Sequence, residues 1–224
     1  MIRLALPKGR LAAGSARLLS LLGAPECVHE RRYTFRHRQL PLEILLLKSS
    51  DIPHVVSDGG ADFAVVGDEW LFECGGDLLP MTPLCWYHAR ICVLAPAAKA
   101  DFFRSPPGSE RQAWTIATPY PAITVRGLSP FADVELRQVA GAVEAYPGRL
   151  TDLAVDCVET GATVRANGLT VVRELLRCDV RLVRARDADI ENEVARHIIA
   201  AAEACAVDSS CAYGGAATFA GSTG

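Results

Sequence analysis

The run LAVDCVETGATVRANG at residues 153–168 concentrates more potential chemistry than any other part of the chain. Its apolar start predicts a buried strand, and a helix is expected to begin soon after. Between them lies a turn with two hydroxyls and a glycine: Thr160, Gly161, Ala162 and Thr163. Gly161 lets a ligand approach the backbone, while the first N–H groups of a helix and both hydroxyls can donate to one anion. The turn therefore predicts a cradle for a terminal phosphate.

Two acidic residues, Asp156 and Glu159, precede this turn. Carboxylates would repel a phosphate, so they suit the hydroxyls of a ribose or a bridging Mg²⁺. Phosphate donors beside acceptors for hydroxyl groups predict a ribose 5-phosphate site. The alternative interpretation is a Thr-Gly turn that only caps a helix, as occurs in many α/β proteins.

The segments that must position this turn alternate between short apolar runs and helical periodicities. Strands are predicted over residues 2–6, 42–48, 63–66, 91–95, 114–117, 134–139, 153–158 and 180–183. Helices are predicted over residues 11–22, 52–58, 68–74 and 187–205, and a further one from Thr163 or Asn167 to about Arg177. Such alternation favours parallel sheet layers and an α/β fold. A surface loop is expected at 105–109 and a disordered tail at 207–224.

The composition of the chain is that of a globular protein. It has 224 residues, 50% of them hydrophobic and 22% charged. No apolar run approaches the ~20 residues of a membrane helix, and Arg17 interrupts the stretch most like a signal peptide, so a cytoplasmic protein is expected. Eight cysteines without a CxxC pair predict reduced core residues, and five scattered histidines argue against a structural zinc site.

Charge is distributed unevenly along the chain. The net charge of −3 excludes the overall electrostatic footprint of a nucleic-acid-binding protein. Residues 1–48 nevertheless hold nine lysines and arginines against three acidic residues. A locally basic segment in an acidic protein suits a small polyanionic ligand, and a solvated basic face is the alternative.

Several blocks resemble, in the same order, the short form of ATP phosphoribosyltransferase, the first enzyme of histidine biosynthesis. They are ALPKGRL at 5–11, KSSDIP at 48–53, ADFAVVGD at 61–68, IATPYP at 116–121, GAVE at 141–144 and DCVETGAT at 156–163, continuing to NGL at 167–169. The third is similar to the family's A-D-x-G-I-x-G-x-D, the fourth to I-A-T-x-Y-P and the fifth to G-S-V-E. The last resembles the family's phosphoribosyl-binding signature. The similarity runs from residue 4 to about residue 183.

This resemblance implies a two-lobed fold like that of type II periplasmic binding proteins, with the active site in the inter-lobe cleft. Lobe I would comprise residues 1–90 and 175–206, and lobe II residues 91–174. The implied reaction joins phosphoribosyl pyrophosphate to N1 of the adenine of ATP and releases Mg²⁺-bound pyrophosphate. A homodimer is expected, as is association with a separate regulatory protein that resembles histidyl-tRNA synthetase. No nucleic-acid or membrane partner is expected.

The resemblance also implies roles for individual side chains. Negative charge grows on the leaving pyrophosphate, so fixed cations should contribute more to catalysis than a general base. Arg32 and Lys48 align with basic family positions near the leaving group and are the catalytic candidates. The substrate-binding candidates outside the phosphate cradle are Lys8, Arg10, Asp68, Glu144 and Asp156. Mg²⁺ would be held mainly through substrate phosphates, and no dedicated set of protein ligands is predicted.

The chain also departs from the family pattern. It has WYHAR at 86–90 where F-G-x-C is common, so Tyr87 and His88 are bulky on the nucleotide side. Pro119 stands where lysine or serine is usual, and Ala142 replaces the serine of G-S-V-E. These departures leave open a paralogue that uses a related purine acceptor in specialised nucleoside metabolism. Another phosphoribosyltransferase with a different base, or a non-catalytic phosphoribosyl- or nucleotide-binding regulatory protein, are the further alternatives.

Overall fold

The computed structural model describes residues 1–25, 32–104 and 112–207. The chain forms two compact units. Among the described residues, the first comprises Met1–Tyr87 and Asp179–Val207, and the second comprises His88–Cys178. The sequence predicts these crossings near residues 90 and 175. The expected surface loop at 105–109 falls outside the described residues, as does the expected tail from residue 208 onward.

Eleven strands and seven helices lie in the described part of the chain. The strands are β1 Ile2–Pro7, β2 Thr34–Arg36, β3 Leu42–Leu47, β4 Phe63–Gly67, β5 Leu79–Pro83, β6 Ala89–Pro96, β7 Ala113–Thr118, β8 Asp133–Gln138, β9 Leu153–Val158, β10 Leu169–Cys178 and β11 Val180–Arg184. The helices are α1 Ala12–Leu21, α2 Ile52–Ser57, α3 Asp68–Cys74, α4 Ala100–Arg104, α5 Pro121–Leu128, α6 Ala162–Ala166 and α7 Glu193–Val207.

Each unit contains one mixed sheet. In the first unit the strand order is β2-β3-β1-β4-β11-β5, with β3, β1 and β4 parallel and the other pairs antiparallel. In the second unit the order is β10-β6-β9-β7-β8, with β9, β7 and β8 parallel and the β6 pairs antiparallel. The α/β class is confirmed, but the expectation of purely parallel layers is wrong. Each sheet has a three-stranded parallel core with antiparallel additions.

Apolar packing explains why the parallel strands read as continuous hydrophobic runs. In the first unit, α1 and α7 cover one face of the sheet with side chains such as Leu18 and Ile198. Helix α2 covers the other face with Ile52 and Val56. Strands that are buried on both faces have no polar side to alternate with, so they show no period of two.

The predicted helix from Thr163 or Asn167 to Arg177 is wrong over most of its length. Helix α6 stops at Ala166, since Gly168 adopts φ 68° and turns the chain into β10. Strand β10 pairs antiparallel with β6 and has two register shifts, one of them between Val171 and Arg173. These irregularities break the alternation that would have identified a strand.

Helix α7 begins later than predicted, at Glu193 rather than at residue 187. The N–H of Val194 donates to the side-chain oxygen of Asn192 at 2.9 Å, which satisfies one of the first free donors of the helix. Just before it, the N–H of Glu191 donates to the carboxylate of Asp189 at 3.0 Å. The segment before Asn192 is therefore a turn held by its own acidic side chain.

The cysteines only partly match the prediction of reduced core residues. Among the described residues, five cysteines are free thiols. Cys92, Cys178 and Cys205 are buried, and Cys74 and Cys157 are half-buried. Burial raises the pKa of the Cys92 thiol to about 11, as expected for a small hydrophobic residue. The prediction is wrong for Cys85, which is disulfide-bonded. Among the described residues, none of the helices combines the length and apolarity needed to cross a membrane.

Candidate active site

Four predicted cations lie along one edge of the first sheet. Because β3, β1 and β4 are parallel, the segments that follow them leave the sheet at the same edge. Lys48 follows β3, and Lys8 and Arg10 follow β1; all three are exposed. Arg32 precedes β2, which runs antiparallel to β3, and its neighbour Tyr33 accepts a hydrogen bond from the N–H of Leu46 at 2.8 Å. Arg32 therefore lies at this same edge, which we call the cationic edge.

Two side chains at this edge, those of Lys8 and Tyr33, contact each other. The ammonium of Lys8 lies 4.2 Å from the centroid of the Tyr33 ring, a cation–π distance. This contact connects the segment after β1 to the segment before β2. Several exposed cations on short connections from a rigid sheet form a surface that suits a polyphosphate.

Asp68, which follows β4, is committed to contacts inside the protein. The Asp68 carboxylate accepts a hydrogen bond from Nε of Arg181 and one from Nη2 at 3.0 Å. It also accepts one from the N–H of Asp179 at 3.0 Å. The Asp68 side chain is 4% exposed and that of Arg181 is 12% exposed. Asp68, predicted as a substrate ligand, is thus a buried structural partner of β11 whose carboxylate is occupied by Arg181 and Asp179.

Breaking this ion pair should destabilise the first unit strongly. Asp68→Ala removes the carboxylate that pairs with the buried Arg181 guanidinium, so we expect the free energy of unfolding to fall by about 3–5 kcal/mol. Urea denaturation measures the change. The matched control is Asp77→Ala, which removes the exposed pair with Arg186 and should cost at most about 1 kcal/mol. Equal losses for the two variants would contradict the role given to Asp68.

Glu69 is a buried carboxyl that the sequence interpretation missed. Its residue is 3% exposed, and the hydroxyl of Tyr87 donates to its Oε1 at 3.0 Å. Its Oε2 is buried and has no hydrogen-bond partner among the described residues. Burial is the main cause that raises the Glu69 pKa to about 7. A signal was available, because the pattern A-D-x-G-I-x-G-x-D counted from Ala61 ends at Glu69 rather than at Asp68.

The predicted phosphate cradle lies at the corresponding edge of the second sheet. Strands β9, β7 and β8 are parallel, so the segments after them share one edge. The turn after β9 leads into α6, and Gly161 is the residue before that helix with φ 71°. Residues other than glycine rarely adopt this left-handed backbone conformation. Gly161 has no side chain to cap α6, and the Thr160 hydroxyl accepts a long hydrogen bond of 3.4 Å from the N–H of Ala162, the first residue of the helix.

Two side chains shape this turn. Arg165 Nη1 donates to the carbonyl of Thr160 at 3.2 Å, so the guanidinium lies against the turn. A Cβ built on Gly161 would lie 3.1 Å from the same nitrogen. The amide of Asn167 donates to the carbonyl of Thr163 at 2.9 Å and closes the other end of α6. Arg165 is a cation beside the cradle that the sequence interpretation missed, although it lies one helical turn after Gly161.

The predicted acidic residues of the second unit lie near this turn in the fold. Asp156 is half-buried on β9, and its Oδ1 accepts from the N–H of Cys157 at 2.7 Å. It shares a face of β9 with Ala154 and Val158, which pack with Val143 and with Val164 of α6.

Glu144 is half-buried in the 3₁₀ turn Val143–Ala145, which follows β8. Ala142 precedes this turn with φ 52°, an uncommon conformation for a residue with a Cβ. Such strain is often found at ligand sites, because the surroundings must hold the backbone in place. Glu144 and the cradle therefore belong to the same edge of the second sheet.

Solved structures with a similar fold identify the fold class of the chain. The ligand-binding core of GluR0 in complex with L-glutamate matches with a TM-score of 0.57 over 92% of each chain, at 10% sequence identity. The chain thus has the two-lobed fold of type II periplasmic-binding-like proteins, as predicted. An ATP phosphoribosyl transferase (HisG:HisZ) complex from Thermotoga maritima matches with a TM-score of 0.71, covering 91% of this chain and all of that chain at 22% identity.

The sequence comparisons identify the family. The model of the HisG family, ATP phosphoribosyltransferase, matches residues 48–203. An ATP phosphoribosyltransferase of Methanopyrus kandleri is 34% identical over 202 residues, which are 88% of this chain and 70% of that protein. The chain belongs to the ATP phosphoribosyltransferase family, and the resemblance drawn from its sequence blocks is confirmed.

Proposed function

We propose that this chain joins phosphoribosyl pyrophosphate to N1 of the adenine of ATP and releases pyrophosphate. Family membership supports the reaction. The observation that carries it for this chain is the left-handed Gly161 turn, which opens α6 at the end of β9. Nothing in the comparisons favours a non-catalytic binding protein or a different purine acceptor.

The second unit would bind the phosphoribosyl part of the substrate. The N–H groups at the start of α6 and the hydroxyls of Thr160 and Thr163 would receive the 5-phosphate. Arg165 adds positive charge beside them. Asp156 and Glu144 would accept hydrogen bonds from the ribose hydroxyls, because carboxylates are strong acceptors and repel the phosphate itself.

The cationic edge of the first unit would receive the polyphosphates. The bond from C1 of the ribose to the pyrophosphate oxygen breaks, and its electron pair leaves with the pyrophosphate. The lone pair of adenine N1 forms the new bond from the opposite face of C1, which inverts that carbon. Arg32 and Lys48 would stabilise the charge that grows on the leaving group, and Lys8 and Arg10 would hold further phosphate oxygens.

No general base is needed for the attack. Adenine N1 carries no proton at neutral pH, so its lone pair is available without proton removal. Lys48 offers a compact point charge where arginine is common in the family, so its contact with the leaving group lacks bidentate geometry. The protein's contribution is thus mainly positioning and electrostatic stabilisation.

We expect Mg²⁺ to bind together with the phosphates of the substrate. Within the described residues, no group of three or more potential ligand side chains could hold a metal ion by itself. Asp156 and Glu144 offer the oxygen ligands that Mg²⁺ prefers, and phosphate oxygens would complete its coordination. When bound, the ion neutralises charge on the leaving pyrophosphate.

We further propose that the chain acts in the cytoplasm as a homodimer and that it can assemble with a separate regulatory subunit. The Thermotoga maritima structure is a HisG:HisZ complex, which supports a partner of that type.

The proposed reaction predicts that pyrophosphate release requires both substrates. Purified protein with Mg²⁺ and phosphoribosyl pyrophosphate should release pyrophosphate when ATP is added and should release little with GTP or free adenine. A coupled pyrophosphate assay measures this. Release with another purine but not with ATP would contradict ATP as the acceptor. It would still be consistent with the proposed phosphoribosyl site.

A further inference from the structure

Two adjacent buried carboxyls begin α3. Asp68 and Glu69 follow the last residue of β4, and they are 4% and 3% exposed. Acidic side chains are seldom fully buried unless they are paired, so each of these two carboxyls should have a partner inside the protein. The partners of this dipeptide lie at the two places where the chain passes from one unit to the other.

Asp68 holds the segment that returns to the first unit. Its N–H donates to the carbonyl of Asp179 at 2.9 Å, and the N–H of Asp179 donates back to its carboxylate at 3.0 Å. Asp179 is the first residue after the return crossing. Arg181, two residues further, completes the set with its two hydrogen bonds to the same carboxylate.

Glu69 holds the segment that leaves the first unit. The hydroxyl of Tyr87 donates to Glu69 Oε1 at 3.0 Å, and Tyr87 is the last residue before the outgoing crossing. The carboxyl is packed against the end of β4, because a Cβ on Gly67 would lie 2.5 Å from both of its oxygens. This close approach fixes the carboxyl beneath Tyr87.

We propose that the Asp68-Glu69 dipeptide is a clamp on both segments that connect the two units, and that the half held by Glu69 is released when its carboxyl ionises. Asp68 keeps its counter-ion Arg181. Within the described residues, Glu69 has no counter-ion in hydrogen-bond contact, and its Oε2 accepts no hydrogen bond. An ionised Glu69 would therefore be a buried charge with one carboxylate oxygen that accepts no hydrogen bond.

The groups that face Glu69 determine the direction of the effect. Burial is the largest cause and raises the Glu69 pKa, and the neighbouring Asp68 adds to this; the backbone N–H of Glu69, the Tyr87 hydroxyl and the charge of Arg10 lower the pKa, and the result is about 7. In an opened clamp, where water reaches the carboxyl, its pKa would return toward the usual value near 4.5. The closed clamp thus binds a proton more tightly. It is most stable below about pH 4.5, loses stability as the pH rises to about 7 and changes little above that.

Hydrogen–deuterium exchange of the crossing segment tests the clamp without any substrate, so its failure would leave the proposed transfer reaction untouched. After correction for the intrinsic pH dependence of exchange, the wild-type amides of residues 87–90 should exchange roughly tenfold faster or more at pH 7.5 than at pH 5. Glu69→Gln cannot ionise, so its corrected exchange should be the same at both pH values. Glu203→Gln, an exposed change on α7, is the charge-matched control and should behave as the wild type.

Tyr87→Phe gives a second, independent variant. It removes the hydroxyl that Glu69 holds while it preserves the ring, so the crossing segment should exchange fast already at pH 5. Wild-type exchange that is independent of pH between 5 and 7.5 would overturn the proposal. So would a Glu69→Gln protein that retains the wild-type pH response, or a Tyr87→Phe protein that retains slow exchange.

Discussion

Gly161→Val should abolish binding of phosphoribosyl pyrophosphate while most of the second unit stays folded. Gly161 has φ 71°, and a β-branched residue there would be strained. The added side chain would also crowd Arg165 Nη1, which lies 3.1 Å from the position of a Cβ, and would occupy space near the proposed 5-phosphate. Isothermal titration should detect no binding at concentrations that saturate the wild type, and kcat/KM should fall on the order of 10³-fold or more.

Gly168→Val is the matched control for this prediction. Gly168 has φ 68° at the other end of α6, and a Cβ there would meet nothing within 4 Å. It therefore carries the same backbone strain without obstructing the cradle. If both variants lost binding equally, the loss would reflect strain in α6. A folded Gly161→Val protein with unchanged affinity would contradict the proposal that this turn binds the 5-phosphate.

Arg32→Ala and Lys48→Ala should each lower kcat more than they weaken substrate binding. Charge on the pyrophosphate grows toward the transition state, so a cation aimed at it stabilises the transition state more than the bound substrate. A loss of about 10²-fold or more in kcat is expected for a well-placed cation, with a smaller change in KM. Single-turnover kinetics would separate the chemical step from product release.

Arg36→Ala is the control for both variants. Arg36 is exposed on β2 opposite Glu43, toward the other end of the strand pair. Its removal should leave kcat within about twofold of the wild type, since a surface charge away from the site contributes little. Equal losses in binding and rate for the Arg32 and Lys48 variants would indicate a contact made already in the ground state.

Elements with strong local signals could be predicted from the sequence. The apolar runs of β1, β3, β4 and β9 identified four core strands, and Pro53 at the start of α2 identified a helix. Strands β2 and β5 carry weak signals. The first has three residues, and the second contains Pro80 and Pro83 at the edge of its sheet, where a missing N–H is tolerated. Strand β10 was hidden by its bulges.

The residues of the candidate site could likewise be predicted only where their signal is local in the sequence. The cradle, Lys8, Arg10 and Lys48 belong to contiguous motifs, so the types and spacing of these residues indicated a phosphate ligand. The burial of Asp68 and Glu69 depends on partners far away in sequence. Arg181 lies 113 residues from Asp68, and Tyr87 lies 18 residues from Glu69. Neither contact has a local pattern, so the same motif that suggested a ligand contact contained a buried structural pair.

The position of the new glycosidic bond tests the central claim most directly. ATP labelled with ¹⁵N at adenine N1 would be incubated with Mg²⁺, phosphoribosyl pyrophosphate and the wild-type protein, and the product examined by mass spectrometry and NMR. The proposed function predicts an ATP adduct that retains its triphosphate and shows coupling between the labelled N1 and C1 of the added ribose. An adduct joined at another nitrogen, or no ATP adduct from folded protein that binds both substrates, would contradict it.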